Sequence, residues 1–304
     1  MERVHQETTV QWHADLPIFT PQGQTDTRAL FSFAEKPAFT PETSSALTAQ
    51  AAGVLAAKQV HTSYLLLATP RSGSFLLCDC LAQTNLAGRP TEYFGPMTFK
   101  LMRYWHTSNY GSYIEKVLQI GTTPNGVFGA KIFWDEMSGF ASYLRQLPKF
   151  KGSLSFFEQL SALFPNLHFL RITRRDQVRQ AISYWRAHAA GEWIRFKDRP
   201  PLSSYSPIFD FQAIEGLRQS LVCNEKEIDS FLTQHHIQPF SIVYEDLVTS
   251  YQETTLAILD YLQIPCQKDL IQTEPRLQKQ ADALSDVWVE RYYQMMSEAN
   301  HEEL

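Results

Sequence analysis

The apolar positions of this chain change their period along its length, and those changes outline a fold. Tyr64-Leu65-Leu66-Leu67-Ala68 is a short unbroken apolar run, the pattern of a strand buried on both faces of a parallel sheet. Further strands are expected over Gly126–Phe133, Leu167–Thr173 and Pro239–Tyr244. Helices are expected over Phe75–Leu86, Ser155–Phe164, Gln177–Ala190, Phe211–His235 and Tyr251–Leu262. Strands alternating with helices predict an α/β fold, an open parallel sheet flanked by helices and joined by right-handed crossovers. The first sixty residues keep no sustained period. They hold Pro17, Pro21, Pro37 and Pro41, with one short helix expected across Ser44–Lys58. Residues 1–60 read as a surface-wrapping arm, an oligomerisation segment or a substrate lid, and residues 61–304 as the main domain. Glu192–Pro207, rich in Pro and Ser, reads as a long loop near a site.

Composition narrows the class. With 304 residues, 44% of them hydrophobic, the chain can bury one large core or two modest ones. Only 19% of residues are charged and 13% are aromatic, which excludes a disordered chain. Twenty-seven basic against 32 acidic residues give a net charge of -5. That argues against a duplex-wrapping nucleic-acid binder but leaves room for a local basic pocket. No apolar run reaches the length of a membrane span, and Met1–Val10 lacks the basic and apolar blocks of a signal peptide. The four cysteines are too scattered for a disulfide framework, and Cys78 and Cys80 have no His or second Cys pair to complete a metal site. Free thiols in a reducing cytoplasm, and no metal, are expected.

The candidate chemistry begins in Ala68-Thr69-Pro70-Arg71-Ser72-Gly73-Ser74, between the first strand and the first helix. Such a turn gathers free backbone N–H groups and the positive end of the helix dipole around one point, as a P-loop-like phosphate-binding turn does. Gly73 permits positive φ or close backbone approach, Ser72 and Ser74 offer hydroxyls, and Arg71 offers a planar fork for phosphate or sulfate. The plain alternative is a helix N-cap made by Ser72 or Ser74. The Walker sequence is incomplete, lacking both its Lys and its first Gly, which disfavours a magnesium-dependent NTPase. A second basic stretch, Arg171-Ile172-Thr173-Arg174-Arg175, ends a strand and enters a helix carrying Arg179, Ser183 and Arg186. Arg174 at a strand C-terminus can point into the crevice where α/β sheets bind ligands. Ser183 faces the same ligand only if its helix runs past it; otherwise these cations are a solvated basic face. Two basic turns in an acidic protein suggest a ligand with phosphate groups at both ends.

In order along the chain, these stretches resemble the sulfotransferases that use 3′-phosphoadenosine 5′-phosphosulfate (PAPS), specifically the bacterial trehalose sulfotransferase type. The resembling blocks are Tyr64–Leu77, Ala87-Gly88-Arg89-Pro90-Thr91-Glu92-Tyr93-Phe94, Thr123–Lys131, Arg174–Ala187, and Gln280–Asp282 with Ser285-Asp286 and Trp288–Tyr292. They span His61 to Tyr292, and the first sixty residues have no counterpart among them. The resemblance implies a sulfotransferase-like fold in which Arg71, Ser72, Gly73 and Ser74 hold the 5′-phosphosulfate and Arg174 and Ser183 bind the 3′-phosphate. It implies Glu92 as the base that takes a proton from the acceptor hydroxyl, and Gln278-Lys279-Gln280 as a segment closing over the nucleotide. The acceptor it implies is a sugar or glycolipid hydroxyl, and a homodimer is expected.

Read without that resemblance, Glu92 is a solvated or capping carboxylate. Its local support is the setting Pro90-Thr91-Glu92-Tyr93-Phe94, where partial burial beside rings raises a carboxyl pKa toward the working range of a base. His168, His188 and the His235-His236 pair are rival bases. Lys131 is either a core-edge lysine or a contact of the transferred group. Tyr93, Phe94, Trp105 and Trp134 could stack on a sugar ring, although tryptophans more often serve the core. Two other functions stay open: a small-molecule kinase on an unusual phosphate turn, and a nucleotide-binding module without turnover.

Overall fold

A computed structural model describes residues 60–150, 152, 154–197 and 207–302. The expected arm over residues 1–60, except Val60, and with it the Ser44–Lys58 helix lie outside the described residues, as does the middle of the Glu192–Pro207 loop. Four strands, β1 (Thr62–Ala68), β2 (Val127–Phe133), β3 (Leu167–Thr173) and β4 (Phe240–Val243), form one sheet in the order β2-β1-β3-β4. Every pairing is parallel. Ten α-helices are described: α1 (Ser74–Gln83), α2 (Thr98–Tyr104), α3 (Tyr110–Gly121), α4 (Met137–Arg145), α5 (Phe156–Leu163), α6 (Gln177–Ala190), α7 (Phe211–Gln234), α8 (Tyr244–Thr249), α9 (Tyr251–Tyr261) and α10 (Ala283–Glu302).

Strand β1 is central, and its side chains alternate between two apolar layers. Leu65 and Leu67 join Phe128, Ile132, Phe164 and Phe169 on one face, while Tyr64, Leu66 and Ala68 join Leu77, Leu81, Leu170 and Ile242 on the other. A strand covered on both sides has no polar side to show, hence the unbroken run. A third cluster packs α6, α7 and α10 together through Ile182, Ile214, Leu221, Trp288 and Tyr292.

The strands and helices expected within the described residues form, with ends displaced by a few residues at most. Helix α6 matches its expected span, capped at one end by Asp176 accepting from Arg179 N and at the other by Gly191 in the left-handed region. Helix α5 opens on a reciprocal pair in which Ser155 accepts from Glu158 N and Glu158 accepts from Ser155 N.

The flank of β2 matters most for the site. This edge strand is buried at all seven residues, because the segment after α1 runs along it and shields its backbone. The Lys131 N–H donates to Thr91 O at 3.0 Å. That single pairing sets Glu92 beside Lys131. Among the described residues no helix is long and apolar enough to cross a membrane.

Candidate active site

The C-terminal ends of all four strands open on one cavity of about 260 Å³. Its walls include Arg71, Gly73, Ser74 and Phe75 after β1, Phe133 ending β2, Arg174 after β3 and Tyr244 after β4. Open α/β sheets bind ligands at this edge. Helix α6 adds Arg179, Ser183 and Arg186, and the segments around Trp193 and Lys279 close the remaining side.

The turn after β1 is held rigidly from beneath. Thr69 Oγ donates to Glu225 Oε1 at 2.7 Å. The buried Gln180 amide donates to Thr69 Oγ at 2.9 Å and to Pro70 O at 2.8 Å. Arg71 sits at φ 63 and Gly73 at φ 89. A Cβ on Gly73 would lie 2.3 Å from Tyr244 Cδ2, so both the left-handed backbone and the ring beneath require glycine here. Gly73 itself is the N-cap of α1, with no side-chain cap, so neither serine caps the helix. Ser72 is fully buried, its hydroxyl donating to Thr69 O at 2.8 Å; it braces the turn rather than lining the cavity. Ser74 does line it, where the first turn of α1 presents its N–H groups.

The two basic stretches meet in this one cavity. Arg71 Nε donates to Ser183 Oγ at 3.0 Å, its Nη1 to Trp193 O at 2.5 Å and its Nη2 to Gln280 Oε1. Arg174 Nη1 donates to Arg71 O at 3.3 Å, and its guanidinium lies 4.9 Å from the centre of the Tyr244 ring. Helix α6 therefore does run past the turn, bringing Ser183 to Arg71. Burial, with Arg174 close by, lowers the Arg71 pKa to about 10. Burial likewise lowers that of Arg174, and both stay cationic at neutral pH. Arg179 and Arg186 are paired with Asp286 and Asp282 of the C-terminal block, so they tie α10 to α6. Residues 195–197 and 276–278 run antiparallel over the cavity, with Lys197 N donating to Arg276 O and Gln278 N to Arg195 O.

Two buried donors here have no hydrogen-bond partner among the described residues: Arg174 Nε and Gln280 Nε2. The nearest acid to Arg174 Nε is Glu245, at 4.0 Å. Unpaired buried donors are costly. Their presence suits an anionic ligand.

Glu92 is only 6% exposed and accepts from Lys131 Nζ at 2.7 Å, with Lys131 itself 1% exposed. The ammonium also lies 3.3 Å from the centre of the Phe75 ring and 4.4 Å from that of Phe133, two residues that line the arginine cavity. Glu92 is thus more deeply placed than the sequence suggested, and a cation offsets the desolvation of its charge. The pair stands beside the cavity rather than in its wall.

The rival bases sit elsewhere. His168 lies near the N-terminal end of β3, remote from the cavity edge, with its ring against Tyr261. His235 packs against Phe157 and Phe231, and His188 stacks on Trp185. Tyr93 and Phe94 are core residues, Trp105 stacks on Tyr113, and Trp134 donates to Glu227. Sequence reasoning missed Gln180, Glu225 and Tyr244, whose importance arises from contacts across 100 or more residues of chain.

Comparison with known proteins bears on the same stretch of chain. The profile of the family described as Stf0 sulphotransferase matches residues 63–295, which takes in β1 from its second residue, the other three strands and the residues around the cavity. Trehalose 2-sulfotransferase of Mycolicibacterium smegmatis is 30% identical over 259 residues, covering 76% of this chain and 94% of that protein. Trehalose 2-sulfotransferase of Mycobacterium tuberculosis is 28% identical over 254 residues, covering 75% of this chain and 93% of that protein. With the family profile running from β1 into α10, this chain belongs to the Stf0 sulphotransferase family.

Proposed function

We propose that this protein transfers a sulfuryl group from PAPS to a hydroxyl of a carbohydrate. The observation that carries the reading is the meeting of Arg71 and Arg174, with unpartnered donors of Arg174 and Gln280, in one cavity beside a buried Glu92–Lys131 pair. Two anion sites in direct contact suit the 3′ and 5′ phosphates of one nucleoside better than groups at the ends of a long ligand.

The donor supplies an activated sulfuryl group; the protein's part is positioning and charge stabilisation, as in phosphoryl transfer. Arg71 and the first-turn amides of α1 hold the 5′ end and neutralise charge building on the leaving phosphate oxygen. Ser74 adds its hydroxyl, Gly73 lets the backbone approach, and Ser72 keeps the turn in shape. Arg174 and Ser183 take the 3′-phosphate. Glu92 accepts the proton of the acceptor hydroxyl as a new S–O bond forms and the S–O bond to the 5′-phosphate breaks. A sulfate ester and adenosine 3′,5′-bisphosphate leave. Lys131 keeps Glu92 charged and aimed, and its place beside Phe75 and Phe133 brings it near the transferred group. A glycolipid headgroup would serve as acceptor by the same chemistry. A homodimer and a cytoplasmic location are part of this proposal.

Calorimetry tests the donor assignment. Adenosine 3′,5′-bisphosphate should bind about ten- to a hundredfold more tightly than AMP, because Arg174 and Ser183 gain a phosphate partner only when the 3′-phosphate is present. Equal affinities would remove that assignment, and a preference for ATP with magnesium would favour a kinase.

A further inference from the structure

Behind the phosphate turn, four elements share one chain of hydrogen bonds. Arg171, near the end of β3, donates through Nη2 to Glu225 Oε2 of α7 at 2.8 Å and through Nη1 to Asp229. The other oxygen of Glu225 accepts from Thr69 Oγ at 2.7 Å. Thr69 Oγ accepts in turn from Gln180 Nε2 of α6 at 2.9 Å, and the same amide donates to Pro70 O at 2.8 Å. Thr69 is fully buried, Gln180 is 2% exposed, and Glu225 is largely covered. Thr69, Gln180, Glu225 and Arg171 stand behind the wall of the arginine cavity rather than in it.

Each link of this chain has one permitted direction. A guanidinium only donates and a carboxylate only accepts. The Thr69 proton therefore points at Glu225, and a Thr69 lone pair is left to face Gln180. The Pro70 carbonyl also only accepts, so both contacts fix the Gln180 amide with its NH2 toward the turn. Gln180 and Ser183 are three residues apart on α6 and share one face of it. Ser183 accepts from Arg71 Nε at 3.0 Å. Helix α6 thus grips the turn at two successive points, first at Thr69 and Pro70, then at Arg71. The gap between turn and helix is also the gap between the two anion sites, with Arg71 and Ser74 on one side and Ser183 on the other.

Building on the sulfotransferase reading, we infer that Glu225 is a positioning residue for the donor. Through Thr69 and Gln180 it sets the distance between the turn that holds the 5′ end and the helix that takes the 3′-phosphate. It thereby contributes to the choice of a bisphosphorylated nucleotide without touching it. The effect depends on polarity more than on shape. An amide in its place must turn its NH2 toward either Thr69 or Arg171. Toward Thr69, it removes the acceptor of the threonine proton; toward Arg171, it sets donor against guanidinium. Buried donors without acceptors are costly, and in either case the hold of α6 on the turn relaxes.

Calorimetry on the full chain, with adenosine 3′,5′-bisphosphate and AMP as probes and melting temperature followed in parallel, tests this. Glu225→Gln and Thr69→Val, both close in shape to the original side chain, should each shrink the preference for the bisphosphate about three- to tenfold. Thr69→Ser keeps the hydroxyl and should keep the preference. Asp229→Asn alters the exposed partner of Arg171 and should leave the preference unchanged, whatever it does to melting. A lower melting temperature with the preference intact in both Glu225→Gln and Thr69→Val would reduce the chain to a structural brace and overturn the inference. An equal loss of preference in Asp229→Asn would overturn it too. If Glu225→Gln does not fold, the contrast of Thr69→Val with Thr69→Ser decides. Failure of the sulfotransferase reading shows differently: the wild type itself would have no preference for the bisphosphate, and this inference would fall with it.

Discussion

Replacing Glu92 with Gln should lower turnover roughly a hundred- to ten-thousandfold while nucleotide affinity holds. Gln keeps the shape of the side chain and still accepts from Lys131, but it cannot take a proton. The loss therefore falls on the chemical step, read as a single-turnover rate at saturating donor. The acid limb of the wild-type pH–rate profile, where the base becomes protonated, should vanish with it. A second effect follows from the buried pair. Lys131 is 1% exposed, and Glu92→Gln leaves its ammonium without a counter-charge in a place that water does not reach. The melting temperature should fall, so rates must be compared below the onset of unfolding. Near-normal turnover in Glu92→Gln would mean that another group takes the proton.

Arg71→Ala should damage donor affinity and rate together, since both the bound donor and the leaving group draw on its charge. Losing a charge-assisted contact costs about 1.5–3 kcal/mol, a ten- to hundredfold change in affinity. The fork also holds Ser183, the Trp193 carbonyl and Gln280, so its removal loosens the segments that close the cavity. Arg71→Lys should recover only part of the loss, because an ammonium cannot reproduce three aimed contacts. The pH dependence has a definite sign. With its pKa brought down to about 10, Arg71 is cationic at neutral pH and loses its proton as pH rises through that value. Donor affinity should therefore decline toward pH 10 in the wild type, and this alkaline decline should be absent from Arg71→Ala. An unchanged dissociation constant and rate in Arg71→Ala would place the arginine outside the site.

What the sequence made legible was local. The run Tyr64–Ala68 announces a central strand because a strand covered on both faces has nowhere to put a polar side chain. Helix α6 was readable to its ends because Asp176 and Gly191 mark them chemically. The phosphate turn stood out because Arg, Ser and Gly crowd into the few residues between strand and helix. Helix α2 went unseen because seven residues carry too little period. Helix α10 escaped because, among its residues described for burial, only a narrow stripe of Ser285, Trp288 and Tyr292 is buried. Within the site, Arg174 and Ser183 were found, since each sits at a predictable place on a strand end or helix. The Glu92–Lys131 pair was not, because it depends on the Arg89–Phe94 segment docking along β2, which no local pattern encodes. Ser72 was expected to offer its hydroxyl to the ligand and instead bonds Thr69 O, a choice set by the left-handed backbone on either side of it.

Sulfuryl transfer is observable directly in a single turnover. The wild-type chain is mixed in excess with PAPS and a neutral sugar, and both products are followed by mass spectrometry through a single turnover. A sugar sulfate ester should appear in step with an equal amount of adenosine 3′,5′-bisphosphate. Tight nucleotide binding with no sulfate ester on any hydroxyl acceptor would contradict it, and would leave a binding module in place of an enzyme.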